Sequence, residues 1–309
     1  MKFPLSPVID VHQACLQKLN HETFNHRRLS ASVLRLDLIH PVISGNKWFK
    51  LKNYISMAQH ANKKGVLTFG GAYSNHLHAT AAICHLEGIS AVGVIRGERP
   101  RELSPTLIDC ENLGMQLIFI SRNAYRHPEE LQKTFSHQYP DLLLVAEGGQ
   151  GDPGITGAAE IMELHDFSGF THVLCAVGTG TMCAGILRKL KNGQQLLGVN
   201  VIKIPSGENN LSSFIANQSS RATATLYYDY HFGGYAKYST RLLTFMNEWY
   251  SRFDMESDFV YTGKLFFAFD DLLKKEYFQQ GDNILLIHSG GLQGNRSLPT
   301  GSLTFETHN

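Results

Sequence analysis

Long apolar runs, a disulfide framework and a strong net charge are all missing from this chain of 309 residues, and each absence removes a class of protein. Charged residues make up 18% and the formal net charge is +1, so no field gathers nucleic acid or an anionic membrane surface. A small, neutral-to-zwitterionic substrate suits such a surface. The five cysteines, Cys15, Cys84, Cys110, Cys175 and Cys183, are odd in number and scattered, which reads as reduced core thiols. Fifteen histidines are present, His76 and His78 close together, but no His-x-x-x-His pair with a supporting carboxylate stands out, so no catalytic metal is expected. No stretch reaches membrane-spanning length, and Met1-Lys2-Phe3-Pro4-Leu5-Ser6-Pro7 lacks the apolar core of a signal peptide, which points to a cytoplasmic protein. No linker rich in Pro, Gly or Ser and no fixed-period repeat interrupts the chain, so any two domains share a close interface. The polar residues 294–309 are expected at the periphery.

What is present is 43% hydrophobic residues, enough for one large or two modest cores. Short apolar runs at 33–38, 66–69, 91–95, 116–120, 142–145, 173–177 and 196–201 alternate with helical patterns, and a last one spans 283–288. Several are rich in β-branched residues, and the alternation predicts α/β architecture with open, twisted parallel sheets. A helix from Asn46 sets Trp48, Leu51, Ile55 and Ala58 on one face, and another runs from Asn75 to Glu87 with Gly88 as its stop. Helices near 239–252 and 264–275 follow an aromatic stretch, Tyr227 to Tyr235, that reads as irregular structure near a site.

Four segments carry candidate chemistry. Ser44-Gly45-Asn46-Lys47-Trp48-Phe49-Lys50-Leu51 is a turn delivering Lys47 to a helix N-terminus, where the partial positive charge disfavours an ammonium and favours the free amine that imine chemistry needs. Taken alone, such a lysine is more often a solvated surface residue. Gly70-Gly71-Ala72-Tyr73-Ser74-Asn75-His76 joins a buried strand to a helix, and Ser74 with Asn75 suits either a ligand or a helix cap. Val177-Gly178-Thr179-Gly180-Thr181, between a strand and a helix, makes a phosphate cup of backbone amides and hydroxyls, or a tight turn. In Ile287-His288-Ser289-Gly290-Gly291-Leu292 a buried strand ends where Ser289 could meet a ring end-on.

In this order and at these separations, the four segments resemble the fold type II, tryptophan synthase β-like, pyridoxal-phosphate (PLP) enzymes. The resemblance is nearest to the 1-aminocyclopropane-1-carboxylate deaminase and D-cysteine desulfhydrase family and spans about Leu34 to Leu292, with Glu147-Gly148-Gly149 as a further landmark. It implies pyridoxal 5'-phosphate held by Lys47 as a Schiff base, with Lys50 and Gly178, Thr179, Gly180 and Thr181 on the phosphate. Asn75 would bond the phenolic oxygen and Ser289 would face the ring, while Ser74 would contact the substrate and Tyr238 and Tyr261 would act in catalysis. It also implies two domains with the cofactor in the cleft, a large one from 1–47 and 165–309 and a small one from 48–164, and a homodimer. Deaminases of this type carry a glutamate where this chain has Thr262, and the desulfhydrase type has a threonine where it has Ser289. A hydroxyl stabilises a pyridinium poorly, which makes the ring a weaker electron sink and favours β-elimination from D-cysteine over opening a cyclopropane. Deamination of 1-aminocyclopropane-1-carboxylate, reaction with another D-amino acid, and PLP binding without turnover are the alternatives.

Overall fold

The computed structural model describes residues 9–43, 45–204, 210–218 and 222–305; Ser44 and parts of the segment 207–232 lie outside them. Among the described residues the strands are β1 (Leu16–Lys18), β2 (Ser30–Arg35), β3 (Gly65–Gly70), β4 (Ser90–Arg96), β5 (Met115–Ile120), β6 (Leu142–Val145), β7 (His172–Val177), β8 (Gln195–Asn200), β9 (Thr223–Tyr227) and β10 (Asn283–His288). The helices are α1 (Glu22–Arg27), α2 (Asn46–His60), α3 (Asn75–Glu87), α4 (Pro105–Asn112), α5 (Pro128–Gln138), α6 (Asp152–Ala159), α7 (Thr181–Lys189), α8 (Asn210–Ala216), α9 (Thr240–Phe253) and α10 (Thr262–Lys274). None of them is long and apolar enough to cross a membrane.

The strands form two sheets, ordered β1-β2-β10-β7-β8-β9 and β5-β4-β3-β6. Every pairing is parallel except β1 with β2. Parallel strands are covered on both faces by crossover helices, which is why they read as near-continuous apolar runs. Successive residues of β10 show this. Ile284 and Leu286 enter one core, Leu285 and Ile287 the other. In the smaller sheet Val66 packs on one face and Leu67 and Phe69 on the other. The four-stranded sheet lies wholly within 48–164 and the six-stranded sheet wholly outside it.

Local signals set the boundaries that matter for the site. Ser74 caps α3, its hydroxyl accepting from Leu77 N at 3.3 Å, and Gly88 ends the helix at φ 65°. Helices α2 and α6 meet closely because Gly157 has no side chain; a Cβ there would stand 1.9 Å from Phe49 O.

Three expectations change. The run 33–38 is a strand only to Arg35; Leu36–Leu38 turns as a short 3-10 helix because Asp37 folds back onto the Arg35 guanidinium at 2.6 Å and Leu36 O receives Gly45 N at 2.8 Å. Strands β1 and β9, both at sheet edges, were not expected. The C-terminal segment is not peripheral throughout: Leu303 and Phe305 are buried, Phe305 against the Tyr250 ring at 4.9 Å, and Arg296 pairs with Asp109 of α4.

Candidate active site

The carboxyl ends of strands from both sheets open onto one cleft of about 860 Å³, counting its mouth. That is where open α/β sheets place ligands. Lys47 and Lys50 from α2 line it beside Ser74 and Asn75 at the start of α3. Gly178, Thr179 and Gly180 enter from the loop after β7, and Ser289 from the end of β10. Thr181 is fully buried beneath this lining and holds Thr179 through their hydroxyls at 3.1 Å.

Lys47 is presented by a turn that requires glycine. Gly45 has φ 69°, and a Cβ on it would stand 1.8 Å from Ser289 O, so the chain crosses the end of β10 with backbone alone. Asn46 N donates to Ser289 O at 3.3 Å, and Lys47 Nζ donates to Asn46 Oδ1 at 2.8 Å. The amine is buried and stands 5.6 Å from the centre of the Tyr261 ring. Burial pulls its pKa down to about 8, against the attraction of Asp258. Desolvation thus shifts the amine in the same direction as expected of the helix N-terminus.

Lys50 is also buried, and burial together with repulsion by Lys47 pushes its pKa well below the usual lysine range. No ion pair joins it to a carboxylate among the described residues. A buried cation without a counter-charge is costly until an anion arrives. The buried Oδ1 of Asn75 has no hydrogen-bond partner among the described residues. The cap on α3 uses an oxygen lone pair of Ser74 and leaves its O–H to donate, so capping and ligand contact are compatible.

His76 is fixed by proton counting. Thr68 O–H donates to Val145 O at 2.8 Å, so Thr68 Oγ1 accepts from His76 Nε2–H at 2.8 Å and His76 Nδ1 is a bare acceptor. Burial, then the charges of Lys47 and Lys50, hold this imidazole neutral with its pKa far below the ordinary value.

The two tyrosines separate. Tyr261 lines the cleft, but Tyr238 is 40% exposed, lies against Phe259 with ring centres 5.3 Å apart, and is absent from the lining. Tyr235 occupies the cleft instead, its ring centre 6.4 Å from that of Tyr261. The cause is the buried Lys264 ammonium, which donates to His231 O at 2.9 Å and Gly234 O at 2.8 Å and pins the loop so that Tyr235 points inward. Burial raises both phenols, Tyr235 to about 12, so both remain proton donors at neutral pH. Tyr235→Phe is expected to lower kcat/KM about tenfold or more while Tyr238→Phe stays within about twofold, measured by steady-state kinetics. Equal losses in the two variants would reverse this assignment.

Sequence reasoning missed Asp258, whose signal was an acid four residues before Thr262 at a helix start. Its carboxylate, fully buried, accepts from the backbone of Val260, Tyr261 and Thr262 at 2.8–2.9 Å and from Thr262 Oγ1 at 2.7 Å. Thr262 Oγ1 in turn accepts from Asp258 N at 2.8 Å. Thr262 is thus committed to Asp258 and stands outside the cleft lining.

A profile described as "Pyridoxal-phosphate dependent enzyme" matches residues 22–290. The chain belongs to this family. A Thermotoga maritima relative provisionally named 1-aminocyclopropane-1-carboxylate deaminase is 29% identical over 283 residues, covering 85% of this chain and 88% of its own. A Salmonella paratyphi A D-cysteine desulfhydrase is 24% identical over 283 residues, with 84% and 86% covered. Among solved structures, an ACC deaminase homologue superposes with TM-score 0.78 at 23% identity over 94% of this chain and 93% of that one, a likeness of fold. The fold is that of the type II PLP enzymes, and the chain is a PLP-dependent lyase or deaminase. The residues present fit the cofactor. A buried amine with a pKa near 8 suits its aldehyde, and buried Lys50 beside an amide-rich glycine-threonine loop suits its phosphate.

Proposed function

We propose that this chain is a D-cysteine desulfhydrase, converting D-cysteine and water to pyruvate, hydrogen sulfide and ammonia. The observation that carries the choice is the hydroxyl of Ser289 at the end of β10, with Thr262 tied to Asp258 and supplying no acid to the cleft. When bound, PLP supplies an electron sink whose strength depends on the partner of its ring nitrogen, and a serine is a weak one. Loss of a thiol from the β-carbon needs less delocalisation than opening a ring at a carbon without a hydrogen.

In this reading Lys47 holds the cofactor and, as a free amine, takes the α-proton. Lys50 and the loop Gly178 to Thr181 hold the phosphate, and Asn75 takes the phenolic oxygen. Ser74 and the amides at the start of α3 orient the carboxylate. Tyr261 and Tyr235 donate protons at the leaving-group side. The set of Lys47, Ser74 and Tyr261 converging in one cleft argues against a binding protein without turnover.

The test follows sulfide and pyruvate from D-cysteine beside 2-oxobutanoate from 1-aminocyclopropane-1-carboxylate. Sulfide with little 2-oxobutanoate supports the proposal, whereas 2-oxobutanoate alone overturns it in favour of the deaminase. A bifunctional D-cysteine desulfhydrase/1-aminocyclopropane-1-carboxylate deaminase of Arabidopsis thaliana, 25% identical over 285 residues, makes both substrates necessary. The same reading carries a homodimer in the cytoplasm; a monomer mass by light scattering would remove the dimer from it.

A further inference from the structure

Arg96 and Glu147 line the cleft but have no task in the chemistry above. Arg96 ends β4 at the cleft mouth, exposed, its Nη2 beside Gly71, where a Cβ would stand 3.6 Å away. Its guanidinium lies over the Tyr125 ring, 5.7 Å from the centre. Tyr125 O–H donates to Glu147 Oε2 at 3.0 Å. Burial, with the Glu147 charge beside it, raises the Tyr125 phenol well above its usual range, so the hydroxyl keeps its proton and Glu147 remains the acceptor.

One tyrosine thus holds a cation on its face and an anion at its hydroxyl. No ion pair joins Arg96 to Glu147, or to another carboxylate, among the described residues. Two opposite charges held apart in one cleft are complementary to a zwitterion, with a carboxylate for the guanidinium and an ammonium for the carboxylate. The other anion holders have their own partners. Lys50 and the glycine-threonine loop suit the phosphate, and the start of α3 suits the carboxylate next to the reacting carbon.

We propose that the cleft takes, besides D-cysteine, a thioether with an α-amino-acid group at each end, the far group being bound by Arg96 and Glu147. The proposal rests on the β-elimination reading and adds a second substrate class to it. The α-carbon gives its proton to Lys47, and the Cβ–S bond breaks with its electron pair left on sulfur, which takes up a proton. With water, the near half ends as pyruvate and ammonia, and the far half leaves as an amino-acid thiol. For lanthionine the balance is lanthionine and water to cysteine, pyruvate and ammonia.

The test uses the PLP-loaded chain with D-lanthionine, S-methyl-D-cysteine, which lacks the far group, and D-cysteine. D-lanthionine is expected to exceed S-methyl-D-cysteine in kcat/KM about tenfold or more. Arg96→Met and Glu147→Gln are each expected to lower that ratio about tenfold. Calorimetric titration of D-lanthionine into PLP-loaded Lys47→Ala chain, with and without Arg96→Met, should show a matching loss of affinity. Equal kcat/KM for the two thioethers, or a ratio unmoved by both substitutions with an affinity unmoved by Arg96→Met, would overturn the far subsite. D-cysteine turnover without lanthionine preference removes this proposal alone. A PLP-loaded chain inert towards D-cysteine and both thioethers removes the elimination reading, and the titration then still decides whether Arg96 binds the zwitterion.

Discussion

Lys47→Ala is expected to lower turnover on the order of 10⁴-fold or more, because the variant loses both the covalent hold on the cofactor and the base for the α-proton. The fold should survive, since Lys47 Nζ makes its hydrogen bond to the neighbouring Asn46 side chain and carries no ion pair among the described residues. Circular dichroism and melting of the variant should therefore match the parent while the colour of bound cofactor changes. The amine's environment adds a pH signature. Burial lowers the Lys47 pKa to about 8, so the neutral, nucleophilic form is present in quantity two or more pH units below that of an ordinary lysine. The rate at which chain freed of cofactor takes up PLP should climb with pH and level off above about 8. A rate still climbing through the ordinary lysine range, or a Lys47→Ala variant retaining a tenth of its turnover, would contradict the assignment.

Asp258→Ala is expected to destabilise the chain by about 3 to 5 kcal/mol, read from urea unfolding. Its carboxylate accepts three backbone N–H groups and the Thr262 hydroxyl in a fully buried position, and alanine strands all four donors. Burial raises the Asp258 pKa above the ordinary carboxylate value, although these donors act to lower it. Four donors around one carboxylate favour the charge, and Lys47 and Lys264 both feel its attraction. The variant should therefore also shift the pH profile of PLP uptake to lower pH, as Lys47 loses its counter-charge. A loss under about 1 kcal/mol, below the usual cost of one unsatisfied buried group, would mean that water replaces the carboxylate.

Much of this arrangement was legible in the sequence because several signals agreed at each place. Helix α3 was readable to the residue, since Ser74 and Gly88 mark its two ends. The parallel strands were readable because burial on both faces leaves unbroken apolar runs such as β7 and β10, whereas edge strands β1 and β9 carry mixed residues and no such run. Lys47, Ser74, Asn75, Ser289 and the loop from Gly178 were readable as glycine-bearing turns at strand or helix ends, Lys50 only through the family resemblance, and all converge in one cleft. Tyr235 was harder: the choice between it and Tyr238 depends on Lys264, almost thirty residues along, pinning the loop. Asp258 was overlooked because three of its four donors are backbone amides, and its spacing from Thr262 is the only side-chain pattern that marks it. The pairing of Arg96 and Glu147 across Tyr125 joins three segments distant in sequence, and only the folded chain brings them together.

The most direct test of the central claim is to load the chain with PLP, reduce with borohydride, digest, and locate the pyridoxyl group by mass spectrometry. The account predicts the label on Lys47. A label on Lys50 or Lys264, with Lys47 unmodified, would contradict it.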